Sequence, residues 1–279
     1  MLGYAEYSVA NGFPVLFFHG LPGSRFEASK LNAAAQKLNI RLIGIDRPGM
    51  GLSSLQKNRT VLDFSHDINE LIDGLNLNTV SILGHSGGAP YIAACAYQIP
   101  QKIHKAVIVS GMAPLTSQEA INSLTKSQKL IFWMIKYFPY ALKWLLSRSI
   151  QKLDHPKQLQ KMMTQLPAVD AGLLQNENYC AEMALSLKEA FRQKNAGVID
   201  DFKLVIQPIG FELDKISCPF VIWQGGEDRQ APVKHAEIYL NKITQADYHF
   251  LEKEGHISLL QNYGQQILAS ALYIIQDQL

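Results

Sequence analysis

The chain has 279 residues, 47% of them hydrophobic and 18% charged, which is ample material for one large domain or one domain carrying an insertion. Its net charge of +2 does not suggest a nucleic-acid surface, and no nucleic-acid partner is expected. Three cysteines, Cys95, Cys180 and Cys218, are widely spaced and odd in number, so they read as free thiols of a reducing compartment and form no metal-ligand cluster. The N-terminus lacks both the basic and the apolar stretch of a signal peptide, and a cytoplasmic protein is expected.

Taken in chain order, Val15 to Phe18 predicts a buried strand that flows into His19-Gly20-Leu21-Pro22-Gly23-Ser24. Residues 25 to 38 predict a helix with Phe26, Ala34 and Leu38 facing inward. Arg41 to Ile45 is a second strand, closed by Asp46-Arg47-Pro48-Gly49-Met50-Gly51. Thr60 with Asp63 resembles a capping box, opening a helix whose inward face is Phe64, Ile68, Leu71, Ile72 and Leu75. Val80 to Leu83 is the next strand, and residues 87 to 98 form a helix whose small residues let it lie close against a sheet. Lys105 to Val109 makes another strand. From about Met112 to about Lys215 the pattern turns helical, with no clear strand alternation. Strand and helix then resume: Phe220 to Gln224, Val233 to Lys242, Tyr248 to Leu251, and a last helix near Leu259 to Ile275. Strands separated by helices imply an α/β fold with a mainly parallel central sheet flanked by helices. The domain organisation expected is a core of residues 1–111 and 216–279 with an inserted helical cap at 112–215.

The most informative stretch is Val80 to Ala89, where an apolar strand ends abruptly in Gly84-His85-Ser86-Gly87-Gly88. A sharp strand-to-helix turn holds a serine Oγ exposed, forces strained dihedrals at Ser86, and leaves no room for side chains at Gly84 and Gly88. Such a serine needs a base, and functional residues in an open α/β sheet gather beyond the C-terminal ends of the strands. Two late strands end suggestively, one in Gly225-Gly226-Glu227-Asp228 and one in Glu252-Lys253-Glu254-Gly255-His256. In the order Ser…Asp…His, the His256 imidazole takes the hydroxyl proton and the Asp228 carboxylate fixes its tautomer. The backbone N–H groups of Gly87 and Leu21 are candidate oxyanion donors.

Together with His19-Gly20-Leu21-Pro22-Gly23-Ser24 and Asp46-Arg47-Pro48-Gly49-Met50-Gly51-Leu52-Ser53, these motifs make the chain resemble α/β-hydrolase fold enzymes of the lipase/esterase-like superfamily. The resemblance covers nearly everything except the cap. It implies Ser86 as nucleophile, Asp228 as acid, His256 as base, and Leu21 with Gly87 as oxyanion hole. Only about fourteen residues precede the His19 strand, so the leading antiparallel strands of the fold should be reduced or missing. The serine excludes close relatives with an aspartate nucleophile.

Asp228 competes with its neighbour Glu227, which reads as solvated or as a turn residue. His85 should point away from Ser86 and pack, His19 should hydrogen-bond within its loop, and Asp46 and Arg47 should tie down the 46–51 turn. That turn lacks a phosphate-loop pattern, and no cofactor or metal is implied. The aromatic stretch Ile131 to Trp144 is expected as a helix pair broken near Pro139, forming an apolar pocket above Ser86. The most apolar window, Leu130 to Leu146, is too short and too interrupted by Lys136, Pro139 and Lys143 to span a bilayer, with interfacial lipid contact left open. The expected reaction is hydrolysis of an ester or related acyl bond of a small-to-medium apolar small-molecule substrate, by a monomer or homodimer. Thioester, lactone, amide or C–C cleavage use the same triad, and a binding or receptor protein with little turnover is the competing class.

Overall fold

A computed structural model describes residues 1–150, 159 and 166–272. Seven strands form one sheet: β1 (Tyr4–Ser8), β2 (Phe13–Phe18), β3 (Ile40–Ile45), β4 (Val80–His85), β5 (Ile103–Val109), β6 (Phe220–Gly225) and β7 (Asp247–Leu251). Their spatial order is β1-β3-β2-β4-β5-β6-β7. All neighbours run parallel except β1, which lies antiparallel on β3 with Tyr4 opposite Ile45 and Ser8 opposite Arg41. The short leader therefore supplies a single antiparallel edge strand.

The central strands β4, β5 and β6 are buried at nearly every position because both faces of the sheet are covered. Along β2, Leu16 and Phe18 enter one core while Val15 and Phe17 enter the other. The first core is closed by helices α2 (Asp63–Gly74) and α3 (Ala89–Gln98), and the second by α1 (Asn32–Lys37) with the 3₁₀ turn Arg25–Leu31 before it. Thr60 and Asp63 exchange hydrogen bonds ahead of α2, with Asp63 Oδ2 accepting the Thr60 N–H at 2.6 Å. Phe64, Ile68 and Ile72 of α2 are buried, and Leu71 and Leu75 pack partly against them.

Residues 25 to 38 depart from the expected single helix. The 3₁₀ turn has three residues per turn, which shifts the phase, so Ala28, Leu31 and Ala35 are the buried positions; of the expected inward residues, Ala34 and Leu38 pack partly against the same core and Phe26 does not.

Between β5 and β6 the described residues form helices and no strand: α4 (Gln118–Ser123), α5 (Lys126–Tyr137), α6 (Pro139–Ile150), α7 (Ala168–Leu173), α8 (Glu177–Ala190) and α9 (Ala196–Val205). Within the expected 112–215 insertion, residues 151–158 and 160–165 lie outside the described ones. A reciprocal Thr125–Gln128 capping box opens α5, and Pro139 opens α6, where its missing N–H costs no helical hydrogen bond. Phe132, Ile135 and Leu142 join Val198 and Phe202 in a separate apolar cluster. After β6 come α10 (Val233–Leu240), then α11 (Ser258–Asn262) and α12 (Gly264–Ser270) beyond β7. The expected final helix is thus two helices, and its residues 273–275 lie outside the described ones. Among the described residues no helix is long and apolar enough to cross a membrane, and no cluster of His, Cys, Asp or Glu is placed to hold a metal ion. The three cysteines are buried free thiols.

Candidate active site

β4 ends at His85, and Ser86 follows at φ 53°, in the left-handed region that costs a non-glycine residue energy. The turn is as crowded as its glycines imply. A Cβ on Gly88 would lie 2.4 Å from the Phe18 carbonyl oxygen, and one on Gly84 would lie 2.4 Å from Ile92 Cγ1. A Cβ on Gly87 would stand 2.6 Å from Leu21 Cβ and 3.2 Å from Leu21 N, so the backbones of both candidate oxyanion donors meet beside Ser86.

His256 follows β7, and its Nδ1 lies 2.8 Å from Asp228 Oδ2 in the loop after β6. The other carboxylate oxygen, Oδ1, accepts the N–H groups of Gln230 and Ala231, both at 2.8 Å. Asp228 is buried with all its bonds directed, whereas Glu227 is exposed. Because a carboxylate only accepts, Nδ1 carries the hydrogen, and Nε2 of the neutral ring is the acceptor. Burial alone would lower the His256 pKa, but Asp228 outweighs it and holds the ring above its ordinary value. Ser86 and His256 line one cavity of about 140 Å³. No hydrogen bond joins the Ser86 hydroxyl to the ring among the described contacts; such bonds often close only when substrate is present.

Three supports of this cavity go beyond the roles expected from the sequence. Asp170, fully buried on α7, accepts the backbone N–H groups of His256 at 2.9 Å, Ile257 at 3.2 Å and Ser258 at 2.9 Å. A carboxylate from the helical segment between β5 and β6 thereby fixes the loop that carries the imidazole. Asp170→Ala would strand three buried donors, each costing about 1–3 kcal/mol. Chemical denaturation is expected to register a loss on the order of 3 kcal/mol, with Asp170→Asn intermediate because it keeps one acceptor oxygen. Wild-type stability for Asp170→Ala would contradict this role.

The second support is Glu27, whose Oε2 accepts the Gly20 N–H at 2.8 Å while Oε1 lies 2.6 Å from His85 Nδ1. His85 Nε2 in turn lies 3.1 Å from the His256 carbonyl oxygen. His85 therefore bridges the two sides of the cavity, and the expectation that it points away and merely packs is corrected. The positive φ at Ser86 ends the strand alternation, and a Cβ on Gly20 would lie 3.5 Å from both Ser86 Cβ and His85 Nδ1. Burial would raise the Glu27 pKa, yet His85, Lys30 and the Gly20 N–H hold it well below the usual carboxylate range.

Arg47 is the third support. It is fully buried and donates to the carbonyl oxygens of His19 and of Gly20, the latter at 2.9 Å. Its Nε binds Asp201 Oδ2 on α9 at 2.6 Å, and Asp201 Oδ1 also takes Arg59 and, at 2.7 Å, the Tyr91 hydroxyl. His19 bonds within its loop as expected: Nε2 accepts the Arg47 N–H at 3.3 Å, which assigns the ring hydrogen to Nδ1 facing the Gly20 carbonyl at 2.7 Å. Burial and the Arg47 charge push the His19 pKa down to about 3, so the ring stays neutral at neutral pH. Asp46 ties its turn down by accepting the Arg25 N–H at 2.7 Å and the Leu52 N–H at 2.9 Å.

One wall of the cavity comes from Met183, Ser186 and Leu187 on α8, between β5 and β6. None of it comes from residues 131–144, so the expected aromatic pocket above Ser86 is absent from the cavity lining. The helix pair broken at Pro139 is present, but Trp133, Tyr137, Phe138, Tyr140 and Trp144 are exposed. Only Phe132 among the aromatics of this stretch is buried, because the inward stripe is set by contact with α9.

The sequence model of the family described as alpha/beta hydrolase fold matches residues 14–263. The chain is 24% identical over 268 residues to the uncharacterized hydrolase YcgS of Bacillus subtilis (strain 168), spanning 91% of this chain and 89% of that one. It is 26% identical over 282 residues to a proline iminopeptidase of Heyndrickxia coagulans, spanning 90% and 86%. Among solved structures, the enol-lactonase from Burkholderia xenovorans LB400 superposes with a TM-score of 0.71 at 16% identity, covering 97% of this chain and 96% of that one, a likeness of fold.

Proposed function

The chain belongs to the α/β-hydrolase fold family, and on that premise we propose that it is a serine hydrolase cleaving an ester or related acyl bond. The observation that carries the reading is the 2.8 Å Asp228–His256 pair, whose imidazole lines the same cavity as a serine held at φ 53°. In this reading the Ser86 proton passes to His256 Nε2 as Oγ bonds to the carbonyl carbon. The oxyanion lies against the N–H groups of Leu21 and Gly87. Collapse expels the alcohol, which takes the proton from His256. Water then attacks the acyl-serine, giving its proton to the same nitrogen, and the acid leaves as Ser86 recovers its hydrogen.

A cavity of about 140 Å³ favours a small acyl group. Leu21, Pro22, Met183, Leu187 and Ile257 give it apolar walls, beside the polar Glu27, Lys30 and Gln230. Residues 112–215 act as the cap, and the buried free thiols are in keeping with a cytoplasmic setting.

The test is a panel of p-nitrophenyl esters of graded chain length beside thioester, lactone and amide substrates. A fluorophosphonate probe is read by intact mass in parallel. Turnover is expected to fall with acyl length, and one adduct should form at Ser86. No adduct on the native protein, or an equal adduct on Ser86→Ala, would overturn the reading.

A further inference from the structure

The α5–α6 hairpin turns an unusual surface to solvent. Trp133, Tyr137, Phe138, Tyr140 and Trp144 are each more than half exposed. They do not stand singly: the Trp133 ring lies 5.6 Å from that of Tyr137 and 5.2 Å from that of Phe138. Scattered apolar residues are normal on a protein surface, but a contiguous aromatic patch marks a contact face. Phe132, Ile135 and Leu142 of the hairpin are instead buried in the cluster that includes Val198 and Phe202 of α9.

Charge identifies the partner. The whole chain is nearly balanced, with 26 basic against 24 acidic residues. Residues 120–150 contain Lys126, Lys129, Lys136, Lys143 and Arg148 and no acidic residue. These cations are interleaved with the aromatics. Lys136 Nζ lies 5.3 Å from the Tyr137 ring centroid, and the Arg148 guanidinium lies 4.7 Å from that of Trp144. Lys129 and Lys136 also line a groove of about 560 Å³ floored by Leu124, Phe132, Trp133 and Tyr137.

We propose that this hairpin docks the protein on an anionic lipid surface. Tryptophan and tyrosine settle at the headgroup level of a bilayer, and lysine and arginine beside them are drawn to anionic lipids. Helices of 12 residues are too short to span the hydrocarbon core, so they lie in the interface with the aromatic side down. The inference is independent of the chemistry at Ser86, because none of these residues lines its cavity.

The experiment sediments the full chain with vesicles of phosphatidylcholine alone and of phosphatidylcholine with phosphatidylglycerol. The anionic vesicles are expected to bind at least roughly tenfold more tightly, and the difference should shrink as salt is raised. Trp223 is buried, so a blue shift of tryptophan fluorescence on binding reports Trp133 and Trp144. Trp133→Ser/Tyr137→Ser and Lys129→Glu/Lys136→Glu should each lower binding by about tenfold or more while keeping the wild-type melting temperature, since all four side chains are exposed. Equal binding to both vesicle types, no binding, or variants that bind like wild type would each overturn the proposal. So would a concentration-dependent dimer in sedimentation equilibrium that Trp133→Ser/Tyr137→Ser abolishes, because the face would then belong to a second copy of this chain.

Discussion

Replacing Ser86 by alanine is expected to lower kcat on the best ester of the panel by roughly 10⁴–10⁶ and leave the fold intact. In the proposed mechanism the loss is large because Ser86 is the group that forms the acyl intermediate, while the oxyanion donors and the cavity keep some residual catalysis by water. The fold should survive because the Ser86 hydroxyl is bonded to nothing among the described contacts that alanine would sacrifice. Its backbone carbonyl, which accepts the Met112 N–H at 2.9 Å, is untouched. Circular dichroism and the melting temperature check the second half of the expectation, and single-turnover kinetics the first. Activity within tenfold of wild type would remove Ser86 from the chemistry.

Asp228→Asn should cost about 10⁴ in kcat, and the geometry states why. Asp228 Oδ1 accepts two backbone N–H groups, so the amide must place its oxygen there and turn its NH₂ toward His256. Nδ1 then has to accept, the ring hydrogen moves to Nε2, and the serine proton has nowhere to go. Exposed Glu227 makes no such contact, and Glu227→Gln should remain near wild type. The pH profile supplies an independent sign. Only the neutral ring accepts a proton, and Asp228 raises the His256 pKa, so kcat/KM in the native protein should fall with acid from a limb above the ordinary imidazole range. Asp228→Asn removes the raising charge and should shift that limb to lower pH. An inactive Glu227→Gln with a near-normal Asp228→Asn would exchange the two carboxylates.

Ser86, His256 and Asp228 were legible because each sits in a short loop directly after a strand, where local chemistry and topology agree. The supports were not. Asp170 lies 86 residues from His256 in the chain, and Asp201 lies 154 residues from Arg47. A carboxylate on a helix looks solvated until the fold brings its partner to it. Glu27 is only seven residues beyond Gly20, but the 3₁₀ phase that turns it inward has no signature in an apolar pattern read for an α-helix. The aromatic stretch misled for a related reason. Its composition announces apolar contact, but which rings face the core depends on where α9 packs, and that left Phe132 inside and Trp133 outside.

Asp170 and Asp201 also bear on how such proteins can be re-engineered. Both acids belong to the segment between β5 and β6, while their partners belong to the sheet-side loops. A chimaera receiving that segment from a relative lacking the two acids would leave Arg47 and Arg59 as uncompensated interior cations and three peptide donors bare. Losing one partner of a buried pair alone costs about 3–5 kcal/mol. Transplanting specificity between such proteins therefore requires carrying these two carboxylates along with the graft, or rewriting both recipient loops to match.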